Sequence, residues 1–261
     1  MKPTLLGLML TVLCQAQLPA PNPSGVAMGH LHFKVRDLEA HKKLWVDVLG
    51  AVPGKLGSME MMKIPGAILL FEPGQPTGGT NGSVVGHLGF KVRDLKATLE
   101  KVRSAGIKVA REIPESRAAF LMGPDQVEIE LIEDPSVSGP TLNHHIHFYN
   151  QAVDPTKAWY VKTFGAQGGR RGKFEAADLP GVNLTFTESE KGAATAPTKG
   201  RALDHIGFEV QDLAAFSKKL EAAGVKFDVP YRKIPSLGIA IAFFTDPWGT
   251  YIELTEGLGG L

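Results

Sequence analysis

Cysteine is nearly missing from this chain: Cys14 stands alone among 261 residues. A single thiol closes no disulfide within the chain and leaves it without a thiolate catalyst or a thiolate metal set. No sign of charge dominates either. Lys+Arg 28 against Asp+Glu 27 gives a formal net charge of +1, and a nucleic-acid partner would call for a basic stripe that is not there. Long apolar runs are lacking as well. Leu5–Leu13 (LLGLMLTVL) is too short to span a bilayer as a helix. With Lys2 ahead of it, Cys14-Gln15-Ala16 as a small-residue cleavage site and Pro19, Pro21 and Pro23 as a spacer, it predicts a signal peptide and spacer over residues 1–20. The expected address is therefore secreted or periplasmic. What is plentiful is turn chemistry, with 30 Gly and 18 Pro, as in a strand-rich protein.

The chain repeats itself. Leu203–Leu213 (LDHIGFEVQDL) has counterparts in Gly29–Leu38 (GHLHFKVRDL), Gly86–Leu95 (GHLGFKVRDL) and, more loosely, Asn143–Val153 (NHHIHFYNQAV). A spacing of 57 residues separates His30 from His87, and 60 separate His145 from His205. That is too long for a solenoid of helical hairpins. It suits a unit of one strand, one helix and several further strands. Each phrase reads as a strand running into a helix, with Asp37, Asp94 or Asp212 as the N-cap and, in the third copy, Asp154-Pro155 at the helix start. Gly50, Gly106, Gly165 and Gly224 fall at the helix ends. The expected class is α+β, with four βαβββ modules at 28–73, 86–133, 143–188 and 203–256. Glu133–Leu142 (EDPSVSGPTL) is the clearest linker. Pairing neighbouring modules gives a first domain over 26–135 and a second over 142–257.

Two columns of the repeat carry chemistry. The first-strand histidines His30, His87, His145 and His205 align. On the last strands, Glu130 and Glu253 stand three residues before the terminal Glu133 and Glu256, where the odd modules have Leu69 and Thr185. Side chains alternate along a strand, so Glu130 and Glu133 face opposite ways. A carboxylate turned into an apolar sheet is costly unless it is paired or binds metal. Each domain so drawn offers two His and one Glu: His30, His87 and Glu130 in the first, and His145, His205 and Glu253 in the second. Such sets suit a divalent metal, Fe(II) or Mn(II) by preference and Zn(II) as an alternative.

These residues, with LDHIGFEVQDL and Thr245–Glu256 (TDPWGTYIELTE) as the most specific pieces, make the chain resemble the vicinal oxygen chelate superfamily over roughly Met28–Gly257. That superfamily includes glyoxalase I, extradiol dioxygenases and bleomycin-resistance proteins. The resemblance implies paired βαβββ modules and a metal held by the six positions just named. It also marks departures. Glyoxalase I-type sites take a second carboxylate from the odd module, which takes part in proton transfer; here that position reads Leu69 or Thr185. The two-His, one-Glu set and the D-P-x-G-x-x-x-E tail (Asp246 to Glu253) lean toward extradiol dioxygenase chemistry, yet Phe243 stands where those enzymes place a Tyr. A catalytic acid/base then falls to His32 and His147, each two residues from a ligand on the same strand face; Gly89 and Gly207 occupy the matching positions. Tyr251, Glu128 and Phe243 are candidate substrate contacts. Arg170-Arg171 could hold an anionic substrate, but two basic residues after a Gly pair read more simply as a solvated turn. The expected function is an exported metal-dependent enzyme acting on a small substrate with vicinal oxygens. A glyoxalase-type lyase or isomerase and a non-catalytic binding protein are the alternatives, and a homodimer is compatible with all three.

Overall fold

The computed structural model describes residues 18–190 and 193–260. The signal-peptide reading rests on Met1–Ala16, which lie outside the described residues. Module one comprises β1 (Val26–Val35), helix α1 (Leu38–Lys42) continued by a π-helical turn (Lys43–Val48), β2 (Val52–Leu56), β3 (Met59–Ile64) and β4 (Ala67–Pro73). Module two has β5 (Val85–Val92), α2 (Leu95–Ser104), β6 (Lys108–Ile113), β7 (Ala118–Met122) and β8 (Glu128–Glu133). Module three has β9 (Thr141–Asn150), α3 (Val153–Phe164), β10 (Gln167–Arg171), β11 (Phe174–Leu179) and β12 (Val182–Glu188). Module four has β13 (Leu203–Val210), α4 (Leu213–Ala222), β14 (Phe227–Ile234), β15 (Ile239–Thr245) and β16 (Tyr251–Glu256). None of the described helices is long and apolar enough to cross a membrane.

The helix starts follow from their caps. Asp37 accepts from Glu39 and Ala40 N–H, Asp94 from Ala97, and Asp212 from Ala215, each satisfying a first-turn donor that has no partner within the helix. α3 begins without such a cap and ends on Gly165 in the left-handed conformation (φ 67°). β2 and β10 escape a reading by apolar alternation. They carry Pro53-Gly54 and Gly168-Gly169, are half exposed, and are held by antiparallel pairing to β3 and β11.

The sheets cut across the expected domains. One sheet has the order β14-β15-β16-β13-β1-β4-β3-β2, so it joins modules four and one. The other runs β10-β11-β12-β9-β5-β8-β7-β6 and joins modules three and two. Each pairing is made by first strands: β1 runs antiparallel to β13 and β5 antiparallel to β9. The segment 134–140 therefore connects β8 and β9 inside one sheet and is not a boundary between site-bearing units. Modules one and two, and modules three and four, meet through their helix-covered faces. Trp45 packs edge-on to Phe90 with centroids 5.1 Å apart, and Phe164 packs on Phe208 at 4.7 Å. Tyr160 of α3 is buried and its hydroxyl donates to Asp246 at 2.8 Å. The repeat alone is blind to which modules share a sheet, because all four copies carry the same pattern.

Candidate metal centres

The two sheets build two clusters by the same rule. In the sheet of modules one and four, His30 Nε2 and His205 Nε2 each lie 2.9 Å from the same oxygen, Glu253 Oε2. His32 stacks on His205 with centroids 4.3 Å apart at 27°. One atom from each of His30, His32, His205 and Glu253 fits within a 4.8 Å span, and all four residues are buried. In the sheet of modules two and three, His145 Nε2 and His87 Nε2 lie 3.0 and 3.3 Å from Glu130 Oε2. His147 Nδ1 is 3.2 Å from His87 Nε2. His30 thus corresponds to His145, His32 to His147, His205 to His87 and Glu253 to Glu130. All six expected ligands sit in the two clusters, but not grouped as neighbours: His30 joins His205 and Glu253, and His87 with Glu130 joins His145. The strand pairing of first with last module is the reason.

Register also moves the missing carboxylate by one residue. Gly207 pairs with Glu253 and Gly89 with Glu130, whereas His32 pairs with Leu70 and His147 with Thr185. Leu70, not Leu69, stands where the odd module would supply an acid; Leu69 faces the helix-side core. Counting back from Glu72 misleads because Glu72 pairs with Lys34, two residues past His32, whereas Glu133 pairs with Val92, three past Gly89.

The glycines of the even modules are part of the construction. A Cβ on Gly207 would stand 2.1 Å from the His30 ring, and one on Gly89 would stand 1.8 Å from the His145 ring. Each odd-module imidazole lies in the space that its neighbour's missing side chain leaves.

Electrostatics prepares both clusters for a cation. Burial by itself raises Glu253, but His30 and His205 outweigh it and hold the carboxyl well below its ordinary range. Glu130 is likewise lowered, burial being overcome by His145 and His87. Burial lowers His145 to about 3 and His147 to about 2, so both imidazoles are neutral near pH 7. Neutral His145 still donates an N–H to anionic Glu130, which reconciles two partners that are both shifted downward. His205 behaves differently: burial opposes its charge, but Asp204 and Glu253 prevail and raise it. Asp204 Oδ1 accepts from His205 Nδ1 at 2.7 Å, the outer-shell carboxylate that fixes a ligand imidazole's orientation.

The surroundings of the clusters differ. Around the first, Leu56, Met61, Ile68, Leu70, Ile239 and Ile241 form an apolar patch, with Phe243 packed against it. Phe243 stacks on Tyr251 at 5.4 Å, and both rings stand edge-on to His205. Two of the three candidate substrate contacts therefore flank this cluster. The third, Glu128, lies on the other sheet, in a cavity of about 520 Å³ lined also by Arg111, Tyr149 and Ser189. Tyr149 stacks on His147 at 4.7 Å and its hydroxyl is 3.5 Å from His87 Nδ1. Reading the sequence alone missed Tyr149 and Asp204, and it mistook Arg171. Arg171 ends strand β10 and its guanidinium reaches His145 Nε2 at 3.2 Å. The signal for Asp204 was its place beside a ligand; for Arg171 there was none, because Gly168-Gly169 hides the strand.

A model of the Glyoxalase/Bleomycin resistance protein/Dioxygenase superfamily matches residues 27–136 and 141–254. The chain belongs to that superfamily. It is 30% identical over 124 residues to the lactoylglutathione lyase of Haemophilus influenzae, covering 41% of this chain and 92% of that protein. It is 26% identical over 209 residues to glyoxalase I of Saccharomyces cerevisiae, covering 65% of this chain and 63% of the yeast protein. Glyoxalase I from Zea mays has a similar fold, with a TM-score of 0.68 and 19% identity over 90% of this chain and 94% of that one. A putative dioxygenase from Bacillus subtilis does too, with a TM-score of 0.66 and 14% identity over 92% and 86%.

Proposed function

We propose that this chain is a divalent-metal-dependent lyase or isomerase, acting at the module one–four centre on a small substrate with two adjacent oxygens. The sequence relatives favour this over the dioxygenase reading. The observation that carries it is the convergence of His30 and His205 on one oxygen of Glu253, with His32 beside them and Leu70 in the place of the second acid. The donor set fits a metal. His30 and His32 each bury an Nδ1 that has no hydrogen-bond partner, and Gly207 makes room for the His30 ring.

When bound, the metal would supply a Lewis acid that polarises the two adjacent oxygens. His30, His205 and Glu253 would hold it, with Asp204 fixing His205. His32 takes over the proton transfer that the resemblance assigns to the missing carboxylate. Burial, followed by the neighbouring His205 and His30, keeps His32 neutral. A neutral imidazole can accept a proton from one carbon and return it to the next. Leu70, Met61, Ile241 and Phe243 keep water from the reacting atoms. Lys199, whose ammonium lies 4.1 Å from the Tyr251 ring centroid, offers a charge for an anionic substrate group.

The test is a pair of assays on metal-loaded protein. Thioester formation from methylglyoxal and glutathione, followed by ultraviolet absorbance, should exceed the background and vanish with chelator. Oxygen uptake with catechols should stay flat. Uptake without thioester formation would overturn the lyase reading in favour of ring cleavage. Ligand retention with neither activity would turn the chain into a binding protein. Export belongs to the same proposal and is tested by the N-terminal mass of protein recovered outside the cytoplasm.

A further inference from the structure

Arg171 stands where a second metal would have to go. Its Nε donates to Thr185 Oγ1 at 2.8 Å, and Thr185 in turn donates to Asn183 Oδ1 at 2.6 Å. Thr185 is the residue at the missing-acid position of module three. From that anchor, one guanidinium nitrogen lies 3.2 Å from His145 Nε2 and 3.9 Å from Glu130 Oε2, the two ligand atoms that already face each other across 3.0 Å. The side chain is only 23% exposed, so the charge is held in the cluster. In the other sheet the same two places hold Leu56 and Leu70. Leu56 faces Met59 across its hairpin as Arg171 faces Phe174, and Leu70 pairs with His32 as Thr185 pairs with His147. Both leucines pack in the apolar patch and bring no charge. The acid position and its neighbour have therefore changed together, to Leu–Leu on one sheet and to Thr–Arg on the other. The ligand atoms reflect the difference: Glu253 joins its three histidines within one 4.8 Å span, whereas the corresponding group of His87, His145 and His147 forms without Glu130.

We infer that the module two–three cluster takes no divalent metal, because Arg171 is its resident cation, and that the chain binds one metal, at modules one and four. A fixed guanidinium a few ångströms from a dication in a half-buried site weakens binding there by on the order of a hundredfold or more. The guanidinium also serves the structural need that a metal would meet. It gives buried Glu130 a counter-charge. This inference rests on the reading above only for the metal at modules one and four.

The experiment is metal stoichiometry by elemental analysis, and by titration with Mn(II) and Zn(II), on the intact chain and four variants. The parent should hold one equivalent. His205→Ala should hold none, and His87→Ala should keep the full equivalent. Arg171→Met should bind a second equivalent, while Arg171→Lys, which keeps the charge, should stay at one. Two equivalents in the parent, or loss of metal from His87→Ala, would overturn the inference. So would Arg171→Met remaining at one equivalent with a melting curve like the parent's. No metal in the parent, with Arg171→Met gaining one, would leave the role of Arg171 standing and sink the metal at modules one and four instead.

Discussion

Gly207 and His30 share one volume: the ring of the second fills the space that a side chain on the first would take, at 2.1 Å from the ideal Cβ. The φ of Gly207 does not lie in the left-handed region, so the backbone tolerates alanine. Gly207→Ala should fold, with a melting temperature lowered by several degrees, and should lose metal by tenfold or more. Competition with a chromogenic chelator reads the affinity, and a parent-like affinity would refute the packing argument.

Asp204 is joined to His205 at 2.7 Å, and a metal held by His205 would feel its charge through that imidazole. Asp204→Asn keeps the shape and removes the charge. Its metal affinity should fall by roughly 10–100-fold, the usual cost of losing an outer-shell partner. An unchanged dissociation constant would make Asp204 a bystander.

Leu69 and Leu70 are adjacent, and the register gives them opposite fates. Leu70 faces the metal cluster and Leu69 the core between sheet and helices. Leu69→Glu buries an unpaired carboxylate and should cost about 3 kcal/mol or more in denaturant unfolding. Leu70→Glu should be destabilising without metal and close to neutral with it. The metal dependence of the two unfolding midpoints decides between them.

Acid should loosen the module two–three cluster. His145 and His147 have folded values of about 3 and 2, below those of the unfolded chain. The unfolded state therefore binds more protons, and stability falls as pH drops from about 6.5 toward 3. Glu130 works in the same direction at the acid end, its lowered value giving stability that is lost as it protonates. His205, raised by Asp204 and Glu253 against burial, contributes the opposite slope, losing its share as pH rises through its folded value. In the metal-free protein, His147→Gln should flatten the melting temperature between pH 7 and pH 5. An unaltered slope would contradict the assignment.

Tyr160 separates folding from chemistry. Its hydroxyl donates to buried Asp246, which also accepts from the backbone N–H of Thr250 and Trp248. Tyr160→Phe should cost about 1–3 kcal/mol and leave metal content unchanged. A loss of metal on that substitution would show that the site depends on this joint.

Much of this was legible before folding. The four histidines and two glutamates announce themselves by register, and the aspartate caps and terminal glycines delimit the helices because both act within one turn. What stayed hidden depends on relations between distant strands. His30 does not reveal whether it will meet His87 or His205, since both are preceded by the same kind of phrase. Leu70 looks no different from Leu69 until a parallel neighbour sets its face. Arg171 sits in a strand that only its partner β11 defines, so its charge reads as a turn's. For His30 and Leu70 the deciding information is a pairing partner far along the chain, and for Arg171 it is a hairpin whose first strand has no apolar alternation of its own.

The joining of the first module to the last has a consequence for how the molecule is made. The pairings nest like brackets, with modules two and three closing inside one and four. On a growing chain the inner sheet can complete while the last module is still unmade, leaving β1 with an open edge and His30 and His32 without partners. The module one–four cluster can then close only when the last module has been made, since His205 and Glu253 belong to it. A piece cut at the 134–140 linker would carry His30 and His32 from one centre and His87 with Glu130 from the other, two unlike halves. The partners of both halves, His205 with Glu253 and His145 with His147, would lie on the other piece.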